Sequence, residues 1–159
     1  FRESRIESSN EQILLNAQRF VDLSVNDADG DWNALIASSR RGHLRVVQEL
    51  LKAGADPNAT VRGNTALVSV LRVADPEGRL PIVQALLAAG ANPNIPIPGL
   101  YGMTALHRAA IDGNFPVIRE LIAWGADPTL ADNSGRTPLD YPMVQQAFRN
   151  YEPEAEDLI

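Results

Sequence analysis

Gly54-Ala55-Asp56-Pro57-Asn58 returns as Gly90-Ala91-Asn92-Pro93-Asn94 and again as Gly125-Ala126-Asp127-Pro128-Thr129, at spacings of 36 and then 35 residues. A period in that range constrains the fold more than any single element, because it demands one supersecondary unit stacked on copies of itself. Each pentapeptide follows an apolar run of helical period: Val46 to Leu51, Ile82 to Leu87 and Val117 to Ile122. Glycine supplies the left-handed residue that ends a helix, and the proline just beyond it prevents continuation. Upstream of each run lies a shorter segment, 33–39, 65–71 and 104–110, opened by Asn or Thr at an N-cap position. The predicted unit is a short inner helix, a turn, a longer outer helix and a turn-rich connector. Such a hairpin is too thin to bury its own apolar faces and must lean on its neighbours.

The stretch from Thr104 through Leu106, His107, Ala109 and Ala110 to Gly113 resembles the ankyrin-repeat motif, which runs Thr-Pro-Leu-His-x-Ala-Ala-x-x-Gly before Val-x-x-Leu-Leu and Gly-Ala-Asp. Gly135-Arg136-Thr137-Pro138-Leu139-Asp140 opens a last unit of the same kind, with a helix through about 143–150. The resemblance covers about residues 29–150 and implies an all-α solenoid of stacked helix-turn-helix units with β-turn or hairpin fingers. It implies about four repeats, over 29–58, 59–94, 95–128 and 129–150, with an acidic tail at 151–159. An N-terminal capping helix is expected within 1–28: Ser8-Ser9-Asn10-Glu11 has capping-box spacing, and Ile13, Leu14, Ala17 and Val21 share a helix face. Leu35, Leu67, Leu106 and Leu139 take equivalent core positions in the four units.

Composition narrows the function. Twenty acidic against 14 basic residues leave a net charge of −6, which argues against a grip on nucleic acid or an anionic lipid surface. No apolar stretch reaches the length of a membrane-spanning helix, so no membrane insertion is expected. The absence of cysteine excludes disulfides, thiolate metal sites and cysteine nucleophiles. His43 and His107 are the two histidines and fall where the repeat motif uses His for structure; neither has a partner at metal-ligand spacing. No catalytic constellation, metal or cofactor is expected. Of 14 basic residues only Lys52 is lysine, a bias that goes with a bacterial source. The chain starts at Phe1, so an exported, periplasmic form with its leader removed is expected, with a cytoplasmic form as the alternative.

Departures from the template mark where recognition is written. Thr65 lies thirteen residues before Gly78, against nine from Asn33 to Gly42 and from Thr104 to Gly113, so four extra residues around 74–77 are expected to form a protruding loop. The connector from Asn94 to Thr104 spans ten positions against eight from Thr129 to Thr137, and its Ile95–Gly102 content is unusually apolar. The resemblance implies that finger tips and inner-helix ends face a concave groove where ankyrin proteins bind partners. On the fingers these are Trp32, Asn64, Ile97, Leu100, Tyr101, Met103 and Arg136; on the inner helices they are Arg40, Arg41, Arg72, Val73, Arg108, Ile111 and Asp112. Trp124 stands at the rim.

The same residues admit plainer readings. Trp32 and Trp124 can fold onto an adjacent repeat, and the connector isoleucines can pack against a neighbouring finger. Arg40, Arg41, Arg72 and Arg108 come from equivalent positions and should gather into a basic patch suited to carboxylates; equally, they can be solvated or paired with Asp75, Glu77 and Asp112. The expected function is a non-catalytic module, monomeric alone, that docks a folded protein, for instance an enzyme that it inhibits, regulates or confers immunity against. The alternative is a scaffold domain making homotypic contacts through its apolar finger.

Overall fold

A computed structural model describes residues 33–72, 76–97 and 99–150, with the side chains of 76 and 77 outside the description. The expected N-terminal cap, Trp32, Val73 and the acidic tail lie outside the described residues. The helices are α1 (Ala34–Arg41), α2 (Leu44–Lys52), α3 (Ala66–Leu71), α4 (Pro76–Ala88), α5 (Ala105–Asp112), α6 (Phe115–Ala123) and α7 (Pro142–Arg149), with a single 3-10 turn at Pro138–Asp140 before α7. α1, α3 and α5 pack on one another as an inner row, while α2, α4, α6 and α7 form an outer row; each helix touches its counterpart in the next unit in chain order. The layering is that of a solenoid.

Local chemistry explains the repeat of form. Asn33 Oδ1 accepts the amide of Ile36 at 2.7 Å and Thr65 Oγ1 accepts that of Val68 at 3.3 Å, satisfying donors that the first helical turn leaves free. The Gly-Ala of each pentapeptide closes the outer helix. In the first, Gly54 N–H donates to Leu51 O at 3.1 Å and Ala55 N–H to Leu50 O at 3.0 Å, with Gly54 at φ 93°, a paired closure that Gly90-Ala91 and Gly125-Ala126 repeat.

The asparagine that ends the pentapeptide ties one unit to the next. Asn58 Nδ2 donates to Gly90 O at 2.9 Å while its Oδ1 accepts the amide of Asn92 at 2.7 Å. Asn94 repeats the clamp on Gly125 O and the Asp127 amide, at 3.0 and 2.7 Å. In the third pentapeptide Thr129 stands in its place and turns inward instead: its hydroxyl and amide donate to Asp127 Oδ1 at 2.6 and 2.8 Å, holding that carboxyl below its usual range.

Between the rows lies one continuous core in which Leu35, Leu67 and Leu106 are buried. Leu139 is only partly buried, because the last inner helix is reduced to a 3-10 turn. The four extra residues of the second unit do not all loop out as expected. α4 is 13 residues long against 9 for α2 and α6, so the insertion is largely taken up as an added first turn, with Gly78 helical rather than at a left-handed corner like Gly42 and Gly113. Residues 74 and 75 lie outside the described residues. Pro81 consequently falls inside α4, whereas its counterpart Pro116 sits in the first turn of α6, where a missing N–H costs nothing.

Candidate protein interface

Three fingers project from the inner row. In the first described finger, Val61 and Asn64 exchange backbone hydrogen bonds of 3.1 and 2.9 Å across Arg62-Gly63, at φ 49° and 75°. In the next, Met103 N–H donates to Leu100 O at 3.0 Å across Tyr101-Gly102, at φ 51° and 75°. Both are tight turns with two left-handed residues, a geometry that favours Asn, Asp or Gly at its first corner. Arg62 and Tyr101 are the only non-glycine residues with positive φ among the described residues. The last finger is built differently. Asp132 Oδ1 accepts the amides of Ser134 and Arg136 at 2.8 and 3.0 Å. Burial pushes the Asp132 carboxyl up, but those amides together with the charge of Arg136 outweigh it and leave it below its usual value.

The finger at Tyr101 is braced from its far side. Asn133 N–H donates to Tyr101 O at 2.7 Å, and a side chain at Gly102 would have to push aside Asn133 Oδ1, 2.6 Å from where its first carbon would stand. Tyr101 itself projects 71% exposed. A shallow opening of about 540 Å³ lies at its foot, lined by Pro96, Ile97, Gly99, Gly102 and Asn133.

Between the first two units Arg40, Arg62 and Arg72 line a hollow of about 290 Å³ with Ile36, Val61, Asn64 and Ser69. At the next junction the arrangement is reversed. Asp112, at the end of α5, is held by Arg108 Nη2 at 3.1 Å and by Arg79 Nη1 at 3.0 Å, and the side chains of Arg79 and Asp112 are only 9% and 18% exposed. Arg79 is the last residue of the turn added to α4, so the insertion carries a guanidinium onto the following repeat.

The structure therefore divides the candidates. Arg40 and Arg72 join one hollow, Arg41 is exposed beside it without lining it, and Arg108 is drawn away to Asp112. The expected four-arginine patch is thus split by an acidic residue. Leu100 and Met103 are half-buried at the finger base, Ile111 and Trp124 are 48% and 49% exposed, and Trp124 caps α6 outside both hollows. Ile97 is 1% exposed, drawn under the finger by its N–H bond to Met103 O at 2.7 Å, and meets the surface only in the lining of the opening at the foot of Tyr101.

His107 is fully buried. The Thr104 N–H donates to its Nδ1 at 3.1 Å, which leaves Nε2–H to donate to Arg136 O at 3.0 Å and ties the third inner helix to the last finger. Arg62 and Arg79 were not legible as site residues. The Arg62-Gly63 and Tyr101-Gly102 parallel was the available signal for the first; the second needed the added turn to be recognised. Among the described residues no group of His, Asp or Glu is arranged to hold a metal, and no helix is long and apolar enough to cross a membrane.

Comparison with known proteins agrees with this architecture. Residues 8–97 match a family profile described as ankyrin repeats (3 copies), and residues 86–141 match another described as ankyrin repeats (many copies). Among solved structures, the crystal structure of the ankyrin repeat domain of Bcl-3, a unique member of the IkappaB protein family, is similar with a TM-score of 0.68 and 32% identity over 80% of this chain. The chain spans 55% of that domain's length. No curated protein sequence shows significant similarity to it.

Proposed function

Since this chain belongs to the ankyrin-repeat family, we propose that it is a non-catalytic interaction module that docks a folded protein against its fingers and the exposed ends of its inner helices. The observation that carries the reading is Tyr101, a large aromatic held 71% exposed on a left-handed backbone that disfavours it. Tyrosine is a common anchor of interface cores, where its ring is desolvated and its hydroxyl finds a partner. Within this reading the contact set is Arg40, Arg41, Arg72, Leu100, Tyr101, Met103 and Ile111, with Trp124 at the rim. The partner class proposed is an enzyme that the domain inhibits or gives immunity against.

Affinity capture followed by calorimetry with the captured partner tests the reading. Tyr101→Ala should weaken the complex by about 2 kcal/mol, and wild-type affinity in that variant would remove this assignment of the interface. Titrating the domain into its partner tests the finer claim, because an enzyme whose turnover is unchanged at saturation is not inhibited.

A further inference from the structure

The geometry points to a seat for an uncharged, apolar side chain of the partner in the opening at the foot of Tyr101, with the tyrosine ring as its outer wall. This rests on the interaction reading above and names the chemistry that the finger selects.

The lining decides what can enter. Pro96 and Ile97 give it apolar surface, Gly99 and Gly102 leave backbone uncovered by side chains, and Tyr101 and Asn133 complete it. No carboxylate, guanidinium, ammonium or imidazole is among these described residues, in contrast to the arginine-lined hollow between the first two units. A charged group seated here would lose water and gain no counter-charge, whereas an apolar one gives up only its unfavourable hydration. The volume, about 540 Å³, falls inside the roughly 300–1,000 Å³ range of ligand sites and has room for a large side chain together with adjoining backbone.

The seat is also built in advance. The bonds from Ile97 N–H to Met103 O and from Asn133 N–H to Tyr101 O, both 2.7 Å, fix the finger and brace it against the last one, so binding has little left to order. Asn133 Oδ1 stands against Gly102, which places a side-chain amide at the rim, where it can bond the backbone of an incoming segment. Tyr101 holds φ 51° at a corner where Asn or Gly costs less. Backbone strain of this kind persists where a side chain is needed in one place. A ring 71% exposed beside an uncharged opening is set to close over an apolar group, and half-buried Leu100 and Met103 continue the uncharged surface around the finger.

Backbone amide chemical shifts read the test residue by residue. The probes are capped peptides with glycines on either side of a central phenylalanine, leucine, glutamate or lysine, titrated into the domain at about 0.15 M salt, where long-range charge effects are largely screened. The phenylalanine and leucine peptides should shift the amides of Ile97, Gly99, Gly102 and Asn133 saturably, and the charged peptides should bind about tenfold more weakly or worse. Tyr101→Ala, which removes the wall, and Pro96→Glu, which puts a charge in the lining, should each weaken the phenylalanine peptide by about tenfold. Val46→Ala, at an exposed apolar position of α2 in the outer row, should leave it unchanged. Thermal melting of each variant confirms that the fold is retained. Absence of saturable shifts at these amides, equal binding of a charged peptide, unchanged affinity in Tyr101→Ala or Pro96→Glu, or an equal loss in Val46→Ala would overturn the seat. A concentration-dependent dimer in sedimentation that Tyr101→Ala abolishes would overturn it too, by making a second copy of the chain the occupant. If the peptides fail while Tyr101→Ala still weakens the captured partner, the seat alone is removed; if they bind as expected while that partner ignores Tyr101→Ala, the interface assignment above is what falls.

Discussion

The two inter-repeat junctions use arginine from corresponding inner-helix regions to opposite ends. At the first, Arg40, Arg62 and Arg72 surround a hollow; at the second, Arg108 is neutralised by an aspartate that also holds Arg79 from the added turn of α4. The second junction is therefore an internal fastening, with Arg79 buried in the stack, whereas the arginines of the first line a surface opening. A repeat template fixes where a side chain projects, and the neighbours supplied by insertions and fingers decide whether it becomes cement or contact.

The comparison can be broken most severely through the stack that both junctions share. Leu106→Ala, at a fully buried position of the inner row, is expected to cost about 2–5 kcal/mol through lost burial and a cavity, read by urea unfolding. A loss under roughly 0.5 kcal/mol would contradict the register of the inner row. Asp112→Asn comes next: it strips the shared carboxylate from a nearly buried Arg79 and is expected to destabilise by about 3 kcal/mol. Adding Arg79→Met should recover most of that loss, because replacing a buried pair by apolar groups is often near neutral. The corresponding change at the first junction, Arg72→Gln, should leave unfolding almost untouched, since Arg72 is exposed.

Smaller effects sharpen the contrast between fingers. Arg62→Asn and Tyr101→Asn each create Asn-Gly, the pair that tight turns of this hand prefer, and each is expected to raise stability by about 0.5–1 kcal/mol while weakening partner binding. Lower stability in both would show that the corners are not strained. The last finger should respond to acid instead. Asp132 is held below its unfolded value near about 3.9, so its contribution is present above that pH and is lost as pH falls through the lower folded value. Asp132→Asn is expected to flatten this acid limb, measured by melting between about pH 5 and 2.

Much of the architecture was readable in residue order. The three pentapeptides gave the period; their Gly-Ala pairs give the helix closures, and Asn58 and Asn94 the clamps between units. The site was less legible. Ile97 and Tyr101 sit in one apolar connector and look alike as candidates, yet one is sealed under the finger and the other stands in solvent. Polarity alone does not separate them, because the side a residue faces is set by the turn between Leu100 and Met103. Arg108 was as strong a candidate as Arg72 until Arg79 and Asp112 were seen to meet across 33 positions of sequence.

The sequence by itself determined the unit, its period and the residues that start, stop and join its helices, because those depend on contacts within a few residues or repeated at one fixed spacing. Only the tertiary structure decided that four inserted residues lengthen α4, that Arg62 and Tyr101 hold left-handed corners, and that Arg79 and Arg108 meet on Asp112. Those outcomes depend on how separate repeats meet in space, and the energy of a charge or an aromatic ring is set by what faces it across that gap.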